Sequence, residues 1–306
     1  MSRLMLLDTA SLYFRAYYGM PDTVTAPDGT PINAVRGLLD IIAKLVSEYS
    51  PARIIACWDD DWRPQWRVDL IPSYKAHRVA EEVADAADVE VVPATLTAQI
   101  PIIRDVLGAL GIPIIGAAAH EADDVIATLA STSPGPVDIV TGDRDLFQLI
   151  DDDRDVRVIY TGGGMSKLLV LTDDVVVEKY GIHAHQYADF AALRGDPSDG
   201  LPGVAGVGEK TATGLLCDFG DLDGIVAAAS DDHSALSKSV RARLVAAADS
   251  LAVAPTVVAV VRDLTLPAPT FADFDDAALD AMKKRWALGG SLDRVRTALT
   301  DRGAEA

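Results

Sequence analysis

Apolar residues in the first 160 positions follow two patterns, short continuous runs and longer segments with helical spacing. Continuous apolar runs are typical of strands buried on both faces of a parallel sheet. They predict five strands, at 3–8, 53–59, 111–116, 136–143 and 156–160. Segments with helical spacing predict helices between the first four strands, at 34–48, 96–110 and 121–130. This alternation predicts an α/β fold with a mostly parallel central sheet flanked by helices.

The pattern changes near residue 172, where short helical segments joined by Gly- and Pro-rich turns begin. We therefore predict an α/β core at 1–171 and a helical subdomain at 172–306. The chain has 306 residues, of which 49% are hydrophobic, and this suffices to bury both parts. No apolar run approaches the length of a membrane helix, and the N-terminus has the pattern of a strand. We expect a cytoplasmic protein without a membrane partner.

The charge distribution is strongly uneven. The formal net charge of −19 argues, taken alone, against binding to nucleic acid. The two signs are segregated, however: 81–90 contains only acidic charges, whereas 62–78 is rich in Arg, Lys and aromatic residues. Cations beside aromatic rings suit phosphate contact and base stacking on single-stranded or frayed nucleic acid. The alternative for 62–78 is an ordinary solvated amphipathic face.

Acidic residues gather at the predicted carboxyl ends of the strands. Asp8, Asp59 and Asp143 each end a predicted strand, and the segment "HEADD" at 120–124 follows another. Ligands bind at this edge of a parallel sheet, and so many carboxylates there need a counter-charge. Hard divalent cations such as Mg²⁺ or Mn²⁺ supply it, and two ions about 3.5–4 Å apart are typical of phosphodiester hydrolysis. Taken singly, each acid has an alternative role in a helix cap or a turn.

A Gly-rich segment, "GLPGVAGVGEKTA" at 200–212, provides a second candidate site. Gly203, Gly206 and Gly208 allow a tight turn with exposed backbone N–H groups. A helix starting near Glu209 directs its N-terminus at that turn, and Lys210 adds a positive charge. Together these features predict a phosphate-binding cradle. The alternative is a Gly-rich connection between two helices.

At these motifs the sequence resembles the structure-specific 5′ nucleases, which include the 5′–3′ exonuclease domain of bacterial DNA polymerase I, phage 5′ exonucleases and flap endonucleases. The resemblance is carried by 6–18, 73–78, 121–130, 141–149 and 193–212, which occur in the family's order. It implies a PIN-like or resolvase-like core with a helical gateway near 62–100. It also implies a helix–three-turn–helix, an extended helix–hairpin–helix, near 200–215.

The resemblance also implies roles for individual residues. The implied metal ligands are Asp8, Asp59 or Asp60 (with Asp61 as a further alternative), Glu121, Asp123, Asp124, Asp143, Asp145, Asp196 and Asp199. Arg15, Lys75 and Arg78 are the implied catalytic cations. The implied DNA-binding residues are Tyr74, Gly203, Gly206, Gly208, Lys210 and Thr211. The implied cofactors are Mg²⁺ or Mn²⁺, with K⁺ at the hairpin.

By this resemblance the chain is expected to be a free-standing, monomeric bacterial nuclease associated with the nucleoid. Its expected substrates are 5′ flaps, nicks and 5′ ends of duplex DNA, including RNA primer strands, in replication and repair. Two features depart from the family: three consecutive acids at 59–61, and the acidic stretch at 81–90. The alternatives are a non-catalytic module that binds DNA junctions and a Mg²⁺-dependent phosphohydrolase of small molecules.

Overall fold

The computed structural model describes residues 3–83 and 86–304. Its strands are β1 (Leu4–Asp8), β2 (Arg53–Cys57), β3 (Val79–Glu81), β4 (Val89–Glu90), β5 (Ile114–Ile115), β6 (Val137–Thr141), β7 (Val156–Tyr160) and β8 (Leu169–Leu171). Its first helices are α1 (Thr9–Gly19), α2 (Asn33–Tyr49), α3 (Gln65–Leu70), α4 (Ala94–Thr97), α5 (Ile100–Ala109), α6 (Ala122–Thr132) and α7 (Asp173–Tyr180). The later helices are α8 (Tyr187–Arg194), α9 (Glu209–Phe219), α10 (Leu222–Ser230), α11 (Lys238–Ala246), α12 (Ala248–Val258), α13 (Asp276–Arg285) and α14 (Gly289–Ala304).

Six of the strands form one sheet in the order β5-β2-β1-β6-β7-β8. All neighbours in this sheet pair in parallel except β7 and β8, which are antiparallel. The central strand β1 lies between β2 and β6, with Leu4 opposite both Arg53 and Val137. The carboxyl ends of β1, β2, β5, β6 and β7 therefore meet at one edge of the sheet.

Each face of the sheet packs into its own hydrophobic core. Because side chains alternate along a strand, Leu6 of β1 joins one core while Met5 and Leu7 join the other. The first core is covered by α6 and the helices from α7 to α12. The second core is covered by α1, α2, α5, α13 and α14. The predicted α/β fold with helices on both faces is confirmed.

The strands and helices predicted between 3 and 160 are all present, although several are shorter than predicted. The helix predicted at 96–110 consists of α4 and α5, separated by a break at Ala98 and Gln99. The prediction lacks α1, the hairpin strands β3 and β4, and the antiparallel strand β8. Helix α1 follows β1 without a loop, because the side chain of Asp8 caps it by accepting from the Ser11 N–H at 3.2 Å.

The predicted helical subdomain at 172–306 needs correction at its C-terminal end. Helices α13 and α14 return to the α/β core, where α14 lies along α2. Leu292 and Val295 of α14 are completely buried in the same core as Leu38 and Leu45 of α2. Hydrophobic burial against α2 thus determines where this segment lies.

The predicted helical gateway near 62–100 also needs correction. Among its described residues this stretch contains two short α-helices, α3 and α4, and the first residue of α5, while β3 and β4 pair as an antiparallel hairpin between α3 and α4. The acidic stretch at 81–90 is part of this hairpin, and its residues 84 and 85 lie outside the described residues.

Within 3–83 and 86–304, no helix is long and apolar enough to span a membrane.

The packing of α14 gives a prediction about stability. Truncation of Leu292 to Ala leaves a cavity in a fully packed core, so we expect the free energy of unfolding to fall by about 3 kcal/mol. Leu70→Ala is the matched control, because Leu70 is 37% exposed and its truncation leaves no enclosed cavity. Urea unfolding monitored by circular dichroism measures both. Equal effects of the two substitutions would contradict the role assigned to α14.

Candidate metal centre and nucleic-acid interface

The fold brings acidic side chains together at the carboxyl edge of the sheet. Asp8 ends β1, and its second carboxylate oxygen accepts a hydrogen bond from the Thr141 hydroxyl of β6 at 2.6 Å. The Asp143 N–H donates to the Thr141 hydroxyl oxygen at 2.8 Å, which ties the turn after β6 to the same point. Asp143 in turn accepts from the Asp145 N–H at 2.9 Å. These hydrogen bonds hold the carboxylates of Asp8 and Asp143 and the backbone of Asp145 at adjacent positions.

A second group of carboxylates reaches this edge from the loop after α8. The Lys75 N–H donates to the carbonyl oxygen of Asp199 at 2.9 Å, and the Ser73 hydroxyl donates to that of Gly200 at 2.7 Å. The loop therefore lies against 73–75. Asp196 in this loop is held by Arg194, whose Nη2 lies 3.0 Å from its Oδ2.

Seven acidic residues at this edge of the sheet form a single cluster, which we call the carboxylate rim. Its members are Asp8, Asp59, Asp123, Asp143, Asp145, Asp196 and Asp199, all seven among the predicted metal ligands. Burial and neighbouring acids destabilise the ionic forms of five of them, namely Asp8, Asp59, Asp123, Asp145 and Asp199. Burial and the charges of Asp59 and Asp143 raise the pKa of Asp8 to about 7, although the Thr141 hydrogen bond opposes this.

The pKa values of other rim members are raised for the same reasons. Burial, together with the charges of Glu121 and Glu90, raises the pKa of Asp59 to about 6. Burial and neighbouring acids raise the pKa of Asp199 to about 6, against the opposing effect of Lys75. The pKa values of Asp123 and Asp145 are well above the ordinary value because both are desolvated and face Asp143. The rim therefore carries more negative charge than the neighbouring Arg194 and Lys75 offset.

The rim has the donor chemistry of a site for hard divalent cations. All its donors are carboxylate oxygens, which Mg²⁺ and Mn²⁺ prefer. The Oδ1 atom of Asp145 is buried and has no hydrogen-bond partner among the described residues. In the described chain no three acidic, His or Cys side chains already converge closely enough to coordinate an ion. The donor set thus fits divalent ions, although the coordination sphere is not preformed.

Lys75 is a buried cation beside the rim. Its backbone adopts a left-handed conformation, with φ of 47°, and its Nζ lies 2.9 Å from Oε1 of Glu121. Glu121 also accepts from the Tyr74 hydroxyl at 2.9 Å. Tyr74 is only 3% exposed, so its predicted role in DNA binding is wrong; its hydroxyl instead orients Glu121. Glu121 belongs to the predicted ligands, and in this structure it is the anionic partner of Lys75.

Among the three consecutive acids, the structure places Asp59 in the rim. Its Oδ1 accepts from the Ala122 N–H at 2.8 Å, which directs the carboxylate towards the N-terminus of α6. Asp60 is exposed, and its carboxylate lies next to Gly116, which follows the edge strand β5. Of the two alternatives, the structure brings Asp59 rather than Asp60 next to the other rim acids. The Asp61 side chain accepts from the Arg63 N–H at 3.1 Å within its own turn.

Asp124 is a structural residue, and its predicted role as a metal ligand is wrong. Both its carboxylate oxygens bind the guanidinium of Arg67, at 2.7 and 3.0 Å, and the pair is buried. Arg67 also lies 3.3 Å from Glu121 and donates to the Val257 carbonyl oxygen at 3.1 Å. This pair therefore joins α3, α6 and the end of α12, while the adjacent Asp123 faces the rim.

Two other cations of the basic segment pair with the acidic hairpin. The Arg63 guanidinium is buried and lies 2.6 Å from Oδ2 of Asp88. Arg78 forms an ion pair with Glu90 and lies over the ring of Trp62 at 5.2 Å from its centroid. Neither a nucleic-acid surface nor a solvated amphipathic face fully describes 62–78, because most of its charged side chains form ion pairs inside the protein.

Arg15 forms no ion pair among the described residues, and its buried Nε has no hydrogen-bond partner. It lies against Gly142, at the end of β6. A Cβ atom at Gly142 would come within 3.3 Å of the Arg15 Nη2 atom and 2.8 Å of the Ser11 hydroxyl. The absence of a side chain at 142 therefore lets this guanidinium lie close to the rim.

On the other side of Gly142 lies Arg144, which sequence analysis did not select. It forms no ion pair with a described carboxylate, and its guanidinium lies over the Tyr180 ring at 5.9 Å. A cavity of ≈ 510 Å³ separates it from Arg194. Arg144 belongs to the segment "TGDRD" at 141–145, in which the sequence predicted a function only for Asp143 and Asp145.

The Gly-rich turn has the geometry of a backbone cradle between α8 and α9. Gly203 has φ of +61°, and a Cβ there would approach the Gly195 nitrogen to 2.3 Å. Gly208 precedes α9, which has no side-chain cap, so the first N–H groups of the helix remain available. Lys210 is exposed and Thr211 half-buried in the first turn of α9. Arg243 of α11 adds a cation here by donating to the Gly206 carbonyl oxygen at 2.9 Å.

Two family patterns match the chain over almost its whole length. Residues 3–181 match the family described as "5'-3' exonuclease, N-terminal resolvase-like domain". Residues 182–284 match "5'-3' exonuclease, C-terminal SAM fold". The chain belongs to the 5′–3′ exonuclease family. The resemblance deduced from the sequence is thereby confirmed, together with its resolvase-like core and helical C-terminal part.

Relatives of this 5′–3′ exonuclease family member match it from end to end. A 5′–3′ exonuclease of Streptomyces coelicolor is 58% identical over 300 residues, covering 97% of this chain and 100% of that protein. One from Mycobacterium tuberculosis is 48% identical and covers 97% of this chain and 98% of that protein. The flap endonuclease of bacteriophage T5, solved with DNA and metal ions, superimposes with a TM-score of 0.64 at 18% identity, covering 98% and 99% of the two chains.

The contrast between Asp123 and Asp124 gives a prediction about stability. Asp124→Asn leaves the buried Arg67 without its carboxylate, so we expect a loss of about 3 kcal/mol in unfolding free energy. Asp123→Asn removes a charge that burial and repulsion disfavour, so the metal-free protein should become more stable. Urea unfolding in EDTA near pH 8 compares the two. Destabilisation by both would show that Asp123 is also a structural residue.

The raised carboxylate pKa values predict a pH-dependent effect of metal. The pKa of Asp8 is about 7 in the folded protein, and those of Asp59 and Asp199 are about 6. In the unfolded chain an Asp has a pKa near 3.9, so the folded state binds more protons, and its stability without metal falls as pH rises from about 4 to 7. A divalent ion needs the deprotonated carboxylates.

We therefore expect saturating Mg²⁺ to raise the melting temperature more at about pH 8 than at about pH 5.5. Thermal unfolding with Mg²⁺ and with EDTA at both pH values measures this difference. An equal shift at the two pH values would contradict ion binding at the rim.

Proposed function

We propose that the chain is a divalent-metal-dependent, structure-specific 5′ nuclease. Its substrates would be 5′ flaps, nicks and 5′ ends of duplex DNA. The observation that carries this proposal is the carboxylate rim, whose clustered acids hold an excess of negative charge at the edge of the sheet where ligands bind. Membership of the 5′–3′ exonuclease family supports it, since the relatives with that name match the whole chain.

The residues proposed to hold the ions are those of the rim, namely Asp8, Asp59, Asp123, Asp143, Asp145, Asp196 and Asp199. We propose Mg²⁺ or Mn²⁺, since only carboxylate oxygens are offered. The bound ions would act as Lewis acids on the scissile phosphodiester. The flap endonuclease of bacteriophage T5, which shares the fold, was solved with metal ions and DNA.

The cations of the chain would complement the charge of the phosphate. Burial lowers the pKa of Lys75, but Glu121 and neighbouring acids outweigh this and keep its pKa well above the ordinary value, so the ammonium stays charged. It can stabilise negative charge that develops on a phosphate at the rim. Arg15 has unused N–H donors beside Gly142, and the guanidinium fork suits phosphate oxygens.

The duplex would bind at the cradle formed by Gly203, Gly206, Gly208, Lys210 and Thr211. Free N–H groups at the start of α9 suit a phosphate. Such contacts read the backbone and no base sequence, as a structure-specific enzyme requires. K⁺ would bind at the same turn through backbone carbonyl oxygens, beside that of Gly206, which accepts from Arg243 at 2.9 Å.

The finer parts of the proposal concern cellular role. We propose that the protein acts as a monomer in the bacterial cytoplasm, at the nucleoid, in removal of RNA primers and displaced flaps. A module that only binds junctions would leave the rim without a purpose. A phosphohydrolase of small molecules would have no use for the cradle at 203–211.

Incision of a labelled 5′-flap duplex tests this function. The wild type should cut in Mg²⁺ or Mn²⁺ and stop in EDTA. Asp123→Asn should slow single-turnover incision by about 100-fold or more, because one rim charge is lost. Its DNA affinity in Ca²⁺ should persist or rise, since the rim then repels phosphate less.

Asp60→Asn is the matched control, because it removes the same charge from a position outside the rim, and it should cut at the wild-type rate. Incision by Asp123→Asn at the wild-type rate would exclude Asp123 as a ligand. A wild type that binds the flap but never cuts it would favour the junction-binding module.

A further inference from the structure

The acidic hairpin of β3 and β4 contacts the basic segment at two points that differ in burial. Where Asp88 meets Arg63, both side chains are nearly inaccessible, with 13% and 5% exposed. The carbonyl oxygen of Asp88 also accepts from the Trp62 indole N–H at 2.7 Å. This point anchors the hairpin, because breaking a buried pair would leave charges without water or partner.

The second contact, between Arg78 and Glu90, is accessible. The Arg78 side chain is 36% exposed and that of Glu90 is 16% exposed. Nε of Arg78 lies 2.9 Å from Oε1 of Glu90, and its Nη2 binds the same oxygen. The other oxygen of Glu90 accepts no hydrogen bond within the described part of the chain. This is not the bidentate fork that gives guanidinium–carboxylate pairs their full strength.

The backbone fixes Glu90 at this position. Glu90 pairs with Val79 in the hairpin, and the Val91 N–H donates to the Arg78 carbonyl oxygen at 2.8 Å. A partly exposed ion pair contributes little net stability, so its exchange for another anion costs little. A phosphate offers the same acceptor chemistry as the carboxylate.

We propose that Glu90 is a specificity-determining residue: its carboxylate occupies Arg78 in the free protein and is displaced only by a phosphate that other contacts hold in place. An open guanidinium here would attract phosphates of any strand. A flap duplex bound at the cradle presents its phosphates at high effective concentration, so it displaces Glu90. A free single strand lacks those contacts, so Glu90 excludes it. This proposal rests on the nuclease function proposed above.

The test compares the affinity of the full-length protein for a 5′-flap duplex and for a labelled oligothymidine, by fluorescence anisotropy in EDTA. Glu90→Gln keeps the shape of the side chain and removes its charge. We expect oligothymidine to bind about fivefold more tightly, with a salt slope steeper by about 0.7, and flap affinity to change less than about twofold. Melting temperatures establish that each variant is folded.

Two variants separate this role from general electrostatics. Glu81→Gln removes the same charge from the same hairpin, at an exposed position without an ion pair among the described residues, and should leave both affinities unchanged. In an Arg78→Ala background, Glu90→Gln should lose its effect. An equal gain from Glu81→Gln, or a gain that persists without Arg78, would overturn the proposal.

Incision provides the last readout. Glu90→Gln should cut the flap in Mg²⁺ no more slowly than the wild type. Slower cutting, to the level of Arg78→Ala, would overturn the proposal and make Glu90 a residue that orients Arg78. If the wild type itself fails to cut, the proposed nuclease function fails, while the binding comparison in EDTA still decides the role of Glu90.

Discussion

The structure depends on how the charges of one short acidic segment are divided between two sides of α6. On one side, Arg67 and Lys75 neutralise Asp124 and Glu121 in a buried network. On the other side, Asp123 faces further acids, whose charge Lys75 offsets only in part. Unpaired buried charges are costly in free energy. Because the acids on the first side are neutralised, the fold can retain an excess of negative charge on the second side. The stability of the core and the capacity to bind cations therefore come from the same few residues.

The sequence predicted the fold and the convergence of the acids, but not the direction of each side chain. Continuous apolar strands followed by Asp sufficed to predict the edge where Asp8 and Asp143 meet. The choice between Asp59 and Asp60 depended on a hydrogen bond to the Ala122 N–H, which no local pattern encodes. Asp124 was misassigned for a similar reason, since its partner Arg67 lies 57 positions away along the chain. Long-range pairing, rather than residue type, decides which acids remain available.

The positively charged segment at 62–78 shows the same limit of prediction from sequence. Its cations and aromatic rings resembled a nucleic-acid surface, yet Arg63 and Arg67 are buried in ion pairs and Tyr74 binds Glu121. A guanidinium satisfies a buried carboxylate and a phosphate with the same donors, so composition cannot distinguish the two uses. Exposure distinguishes them, because only Arg78 of the three arginines is accessible enough to exchange its partner.

A net charge of −19 then has a physical consequence for binding. Most of the surface repels phosphate, so attraction is confined to places where donors remain unused, such as Arg15 and the first turn of α9. Arg15 lies beside the rim, whereas the cradle is formed by the loop that also carries Asp196 and Asp199. A DNA that engages only one of these places gains little against the general repulsion. A DNA whose shape reaches both gains from each, so an acidic surface itself favours recognition of structure over sequence.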